Sequence, residues 1–532
     1  HWPVPGRLDR AAVLTDVALT VLAGGSSSRL YNELVRTKKL AVSVSGGVQA
    51  FEKVSMAEIE VTLAPGVKPE TVEAAVKQAL AEFTAKGPTA DEVSRVATRN
   101  VAGTIRGLEA VGGFGGKAVA LAEGAVYAGD PEQYRTELAW YANATPADVQ
   151  AAARAWLTTS AYVQTVLPGE RPAAEDVPPP PKVVASTPPA KGPARIAEPA
   201  VGQPPLLQWP AIERFTLANG LKVELARRTT VPLVRMLLSV EGGRAADERG
   251  SLGIQSMALN LMDEGAAGRS GTDIAELRER LGAGIGASPG MDRTRISLDA
   301  LKSNLGASLA LFADIVQRPD YPPAEIERVR DQMLTALQQE ASNPIGIAQR
   351  ILSPALYGPA HPYGAPPSGL GTADSVKAIT RDQLVAWHKR WIRVDRGTLF
   401  VVGDITAAEL KPQLDAAFGS WRADAATPAG TITAAAAPPP QAARIILVDR
   451  PNSPQSLILA GTLLPITGTQ DLIAERAAAD VLGGLSTSRI TTDIREEKNW
   501  AYGAYAGLTD GKGQLTSLIY APVQTDRTAD SM

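Results

Sequence analysis

Cysteine is absent from this 532-residue chain, and histidine occurs only at His1, His361 and His388. The first absence excludes thiol catalysis, disulfides and cysteine-based zinc sites, while leaving the redox compartment open. The second leaves no two histidines four residues apart, the spacing at which one helical face can grip a zinc ion. No run of about 18 apolar residues occurs, so no segment reads as a membrane-spanning helix. A net charge of −3 gives no electrostatic footprint for nucleic acid or an anionic membrane. Hydrophobic residues at 45% and charged residues at 20% describe an ordinary globular protein. At this length, on the order of three or four domains are expected.

What is present is a long-period repeat. The segment Ser488–Tyr502 has a cruder counterpart about 460 positions earlier, Ser28–Val42. Each follows a turn of small residues, Leu22-Ala23-Gly24-Gly25 in one case and Leu482-Gly483-Gly484-Leu485 in the other. Each leads into a strand pattern and then Ala-Pro, at Ala64-Pro65 and Ala521-Pro522. One period of this length implies a duplicated domain, since solenoid repeats run about 20–50 residues. The chemistry of the two differs. The late segment carries Arg495 and Tyr502, where the early one has Val35 and Val42.

Patterning divides the chain into units. Residues 1–168 alternate strands (41–47 and 55–63) with helices, one from Thr71 to Lys86 and others capped by Thr89, with Glu92 reaching back, and by Thr145 before Pro146. A Pro/Ala-rich stretch at 169–208 has the composition of a semi-rigid tether. Within 209–425, Asn219-Gly220 marks a hairpin, and strands at 233–241, 294–298 and 397–402 mix with helices at 272–281, 304–317, 323–341 and 380–391. A second Ala/Pro-rich linker at 426–440 precedes a unit at 441–532, which opens with strand patterns at 443–448 and 456–462. The expected class is α+β, with duplicated mixed or antiparallel sheets backed by helices. The chain starts at His1 without a signal-peptide pattern and stops where its early counterpart begins a helix. It therefore reads as an internal fragment of a longer protein.

These residues resemble the insulinase/pitrilysin family of zinc peptidases and their mitochondrial-processing-peptidase relatives. Phe215 to Val223 is similar to the family's opening F-x-L-x-N-G-L-x-V. Leu356-Tyr357-Gly358 with His361-Pro362-Tyr363-Gly364 is similar to its L-Y-G-x-H-P-Y-G, and 380–405, ending in Val401-Val402-Gly403-Asp404-Ile405, to its closing strand. The resemblance implies two halves of two domains each, closing like a clamshell on peptides or unfolded segments. It also implies a zinc motif H-x-x-E-H in the N-terminal half.

Where that motif would fall in 209–425, Ser256, Leu259 and Asn260 replace the two histidines and the glutamate, and Ala336 replaces the further ligand. The expectation is a chain that binds no metal or cofactor itself, with zinc in a domain upstream of His1 or in an active partner subunit. Arg495 and Tyr502 match, residue by residue, the family's pair that contacts substrate and transition state. A tyrosine hydroxyl can donate to an oxyanion, and an arginine fork can hold a peptide backbone. The competing expectation is a non-catalytic scaffold or partner subunit of the same fold. A periplasmic or secreted location is expected for exported bacterial relatives of this kind.

Other features read as structural. His361 shapes the loop before Pro362, and His388 packs beside Trp387 and Trp391. Gly112-Gly113-Phe114-Gly115-Gly116-Lys117 lacks the P-loop's first glycine and final hydroxyl, so it reads as a bend between helices. The charges of Glu325–Glu340 alternate as on a solvated helix face.

Overall fold

A computed structural model describes residues 1–159, 161–167, 208–432 and 442–532, together with 169, 202, 203 and 206. The expected tether at 169–208 falls almost wholly outside the described residues, as does the linker at 426–440 from residue 433 on.

The first unit is built on an antiparallel sheet of strands β1 (Trp2–Pro5), β2 (Ala41–Gln49) and β3 (Val54–Leu63), in the order β1-β3-β2. Helix Arg10–Ala23 lies against it. This helix carries charge only at Arg10 and Asp16 and is apolar nearly all round, the pattern of a helix that is buried. Val17, Leu19 and Leu22 are fully enclosed. Helices Pro69–Lys86, Ala90–Gly107, Gln133–Ala142 and Pro146–Trp156 complete the unit. Thr89 and Glu92 form a reciprocal capping box, and the Thr145 side chain accepts from Asp148 N, as the sequence predicts. The glycine cluster 112–116 is a bend between helices Ala90–Gly107 and Lys117–Glu123, also as predicted.

The middle unit holds a six-stranded sheet with its own apolar core. Its strands are β4 (Ile212–Thr216), β5 (Lys222–Arg227), β6 (Leu233–Glu241), β9 (Gly284–Pro289), β10 (Arg293–Leu301) and β11 (Gly397–Gly403); the two-residue strands β7 (Gly265–Ala266) and β8 (Arg269–Ser270) pair separately. The order is β4-β5-β11-β6-β10-β9, with β5 and β11 parallel and the other neighbours antiparallel. The Asn219-Gly220 turn joins β4 to β5, and Gly220 takes the positive φ of 92° that favours glycine. Asn219 Nδ2 donates to the Phe418 and Trp421 carbonyls, tying the turn to the far end of the unit.

The last unit has strands β12 (Gln455–Thr467), β13 (Tyr505–Leu508) and β14 (Gln514–Gln524), in the order β12-β14-β13. Pair Trp2↔Ala57 of the first sheet recurs as Thr462↔Ser517, and Ser45↔Glu60 recurs as Tyr505↔Tyr520. The offset is 460 positions throughout these pairs.

Three expectations are corrected. Ala521-Pro522 does not follow its strand as Ala64-Pro65 does: it lies within β14, opposite Ile458 and Leu457. Residues 443–448 are not a strand: among the described residues they pair with no neighbour, and Ile445 and Leu447 are 77% and 87% exposed. A strand needs an adjacent edge to satisfy its backbone, and β-prone composition does not supply one. Nor is the 325–340 charge pattern a solvated face. Arg328 is 6% exposed, and helix Pro323–Ser342 presents Glu325, Arg328 and Gln332 to the first unit.

Candidate functional site

The segment carrying Arg495 starts as a helical turn, Arg489–Thr491, then widens into a π-helical turn, Thr492–Glu497. Thr491 Oγ1 donates to the Ala504 carbonyl, and buried Ile494 anchors the turn to the sheet. Lys498 N closes the wide turn on the Asp493 carbonyl at 3.1 Å. Asn499 then adopts a left-handed conformation, φ 56°, so that Trp500 N returns to the Ile494 carbonyl. The Trp500 indole lies 4.8 Å from Lys498 Nζ and 6.0 Å from the Arg527 guanidinium carbon. This reversal brings Tyr502 back over Arg495.

The two predicted site residues do meet. The Arg495 guanidinium carbon lies 5.2 Å from the Tyr502 ring centroid, within cation–π range. Arg495 Nε also pairs with Glu496 at 3.2 Å. Tyr502 is 81% exposed, and among the described residues its hydroxyl makes no hydrogen bond. The pair is therefore an open-faced donor set, one phenol O–H beside one guanidinium, free to engage an acceptor from outside.

The early counterpart has the same backbone. Lys38 N bonds the Glu33 carbonyl across a π-helical turn (Tyr31–Thr37), Lys39 takes φ 53°, and Leu40 N returns to the Leu34 carbonyl. Its side chains and surroundings differ. Val35 is buried, and the Val42 carbonyl accepts from Gln332 Nε2 at 2.7 Å. Arg36 pairs with Glu264 at 2.8 Å and Glu325 at 3.1 Å, while Arg328 pairs with Glu264 and donates to the Tyr31 hydroxyl. The middle unit thus packs against Tyr31, Arg36 and Val42 of this element, while Thr37, Lys38 and Lys39 stay exposed. Further pairs cross the same boundary: Arg95–Glu279, Arg280–Asp91, Arg106–Asp299 and Arg235–Glu109.

The positions replacing the zinc motif lie on helix Ile254–Asn260 and on helix Pro323–Ser342. Ser256 is buried and its hydroxyl is committed to the Gly369 carbonyl at 2.8 Å. Leu259 is buried and aliphatic, Asn260 is exposed, and Ala336 offers a methyl group. Neighbouring Gln255 donates to Gly242 O and Thr294 Oγ1. Nearby, Asp247 accepts from Gly253 N at the start of the same helix, and burial pushes its pKa up to about 7. Zinc needs imidazole, thiolate or carboxylate donors converging on one point, and these four residues do not fit it. Among the described residues no group of three or more such side chains could hold a metal ion.

Two family models match the chain, and the middle unit is shared between them. Residues 222–361 match the model for the insulinase family, peptidase family M16, and residues 1–100 and 378–532 match the model for the M16 peptidase inactive domain. The chain belongs to the M16 insulinase family. An uncharacterized zinc protease of Mycobacterium bovis is 26% identical over 326 residues, 60% of this chain and 72% of that protein. The non-peptidase homologue YmxG of Helicobacter pylori is 21% identical over 276 residues, 52% of this chain and 62% of that protein. Among solved structures, an M16 inactive domain from Pseudomonas fluorescens aligns with TM-score 0.54 at 25% identity, covering 59% of this chain and 74% of that one.

Sequence reasoning missed a polar latch between the middle and last units of this M16 chain. Tyr363 Oη donates to the Asp292 carboxylate, whose oxygens lie 2.9 and 2.8 Å away, and accepts from Gly513 N at 2.7 Å. Asp292 also accepts from Lys512 N, and Tyr357 Oη donates to the Gln514 carbonyl. His361 stacks on Tyr357 at 5.1 Å and accepts from Tyr363 N through Nδ1, the loop-shaping role expected of it. The L-Y-G…H-P-Y-G residues signalled the loop, but its partners are backbone atoms about 150 positions on, which have no signature in sequence. His388, buried beside Tyr321, bonds the Val316 carbonyl, and burial holds its pKa down at about 4.

Proposed function

We propose that this chain is the part of a zinc metalloendopeptidase that encloses peptides or unfolded segments opposite the metal centre. In this reading, zinc resides in another domain, upstream or on an active partner subunit, and units 1–168 and 441–532 are copies of one ancestral domain. Arg495 grips the peptide backbone, and the Tyr502 hydroxyl donates to the oxyanion that develops at the scissile carbonyl. The observation that carries the reading is the contrast between the two π-helical turns. The one with Arg and Tyr is open, while the one with two valines is packed against the middle unit. Such a donor is typically worth about 10²–10³ in rate. A periplasmic or secreted location belongs to the same proposal, and the absence of cysteine is compatible with it.

The three replaced ligand positions and the replaced base favour a second reading, a non-catalytic scaffold or partner subunit. Kinetics of Tyr502→Phe in the intact parent protein separate the two. The peptidase reading expects kcat to fall about 10²-fold or more with KM little changed. Unchanged kcat with an intact fold makes Tyr502 a surface residue, and an intact parent without peptidase activity leaves the scaffold reading standing.

A further inference from the structure

The 460-position correspondence also sets one face of the first sheet beside the same face of the last. At the pair Ser45↔Glu60 the first unit carries two exposed polar side chains. At that place the last unit carries Tyr505↔Tyr520, whose rings stack at 6.3 Å with 29° between their planes. Leu459 continues the row across β12, opposite Tyr520. The row holds no charge, yet Tyr505 is 50% exposed, and Tyr520 and Leu459 are half-buried.

This row adjoins the donor pair. A Cβ on Gly503 would stand 2.7 Å from the Tyr505 hydroxyl oxygen and 3.0 Å from its ring, so the ring lies back over the residue that follows Tyr502. Glycine permits that approach, and the first unit has exposed Ser43 in its place. The aromatic row is therefore confined to the copy that carries Arg495 and Tyr502.

Stacked rings offer a broad apolar surface with little torsional freedom to lose, and they pair best with another ring or a bulky aliphatic group. An extended peptide advances about 3.3 Å per residue, so one whose carbonyl sits at Tyr502 brings a side chain over Tyr505 on the order of two residues further on. We infer that Tyr505 and Tyr520 form a subsite for an aromatic or large aliphatic side chain of the bound peptide, away from the scissile bond itself. The inference rests on the reading above, in which a peptide lies across Arg495 and Tyr502, and it adds a sequence preference to that reading.

The probes are fluorescein-labelled Gly/Ser peptides that differ only in one central residue, Phe, Leu, Ala or Lys. They are titrated against the intact parent protein with a chelator present, so that Kd is read without turnover. The Phe peptide should bind about 10-fold more tightly than the Ala peptide, with Leu between them and Lys no tighter than Ala. Tyr505→Ser, which installs the side chain of the first unit, should bring the Phe peptide to within about 2-fold of the Ala peptide, while Tyr505→Phe should keep the preference. Tyr520→Thr should act as Tyr505→Ser does, and melting temperatures matching the unsubstituted protein establish the fold of each. Equal affinity for all four peptides, tightest binding of the Lys peptide, no binding of any, or serine and threonine variants that weaken all four alike overturn the inference. Affinity is read without cleavage, so a Tyr502→Phe variant with unchanged kcat removes the proposed mechanism while the Phe-to-Ala ratio still decides the subsite.

Discussion

Gln332 Nε2 donates to the Val42 carbonyl at 2.7 Å, from the helix that also carries Ala336. That one bond places the valine-bearing turn of the first unit against helix Pro323–Ser342. Beside it stand Arg36, Glu264, Glu325 and Arg328, whose side chains are all less than one-fifth exposed. The Arg495–Tyr502 pair lies on the last unit, with Tyr502 facing outward.

Arg495→Ala in the intact parent should raise KM as well as lower kcat, because a guanidinium on the peptide backbone stabilises the ground state and the transition state alike. Val42→Tyr should change neither by more than about 2-fold, since that turn faces the middle unit. Steady-state rates on a fluorogenic peptide decide both.

Arg36→Met should destabilise the contact between first and middle units by about 3–5 kcal/mol, the usual cost of leaving buried charge unpaired. Glu264 and Glu325 would remain facing each other. Combining it with Glu325→Gln should recover much of the loss, because Arg328 then balances the one remaining carboxylate, Glu264. Urea titration of the single and double variants is the check.

Tyr363→Phe removes the acceptor for Gly513 N and one donor to Asp292. Leaving such groups unsatisfied costs about 2–3 kcal/mol, so amide exchange across 508–516 should speed up on the order of 10²-fold. Exchange there that stays within a few-fold of the parent would mean the latch is dispensable.

His388 and Asp247 should give opposite pH slopes. The unfolded chain protonates histidine below about 6.5, while the buried site resists until about 4, so this contribution to stability rises with pH through that window, by about 3 kcal/mol. Buried Asp247 keeps its proton up to about 7, whereas an unfolded aspartate loses it near 3.8, so its contribution falls as pH rises. His388→Gln should therefore expose a falling slope between pH 4 and 7, and Asp247→Asn a rising one. Urea midpoints across that range test the signs.

Much of the fold was legible because it is written in short-range pattern. Thr89 with Glu92 and Thr145 with Pro146 cap helices through neighbours three residues away or closer. The helix read from Thr71 to Lys86 is present as Pro69–Lys86, because its apolar residues recur at helical spacing. Segment 443–448 misled for the opposite reason: its composition suits a strand, but pairing depends on an edge that the sequence does not name.

The sequence by itself determined the family, the 460-position correspondence, the scarcity of histidine and absence of cysteine, and which late residues carry donors. These are properties of side-chain identity and local spacing. Only the tertiary structure decided that Arg328 is buried, that Gln332 caps the Val42 carbonyl, and that Tyr363 holds a hairpin 150 residues away. In the last two cases the partners are backbone atoms, which every residue possesses, so the sequence holds no trace of which one is chosen.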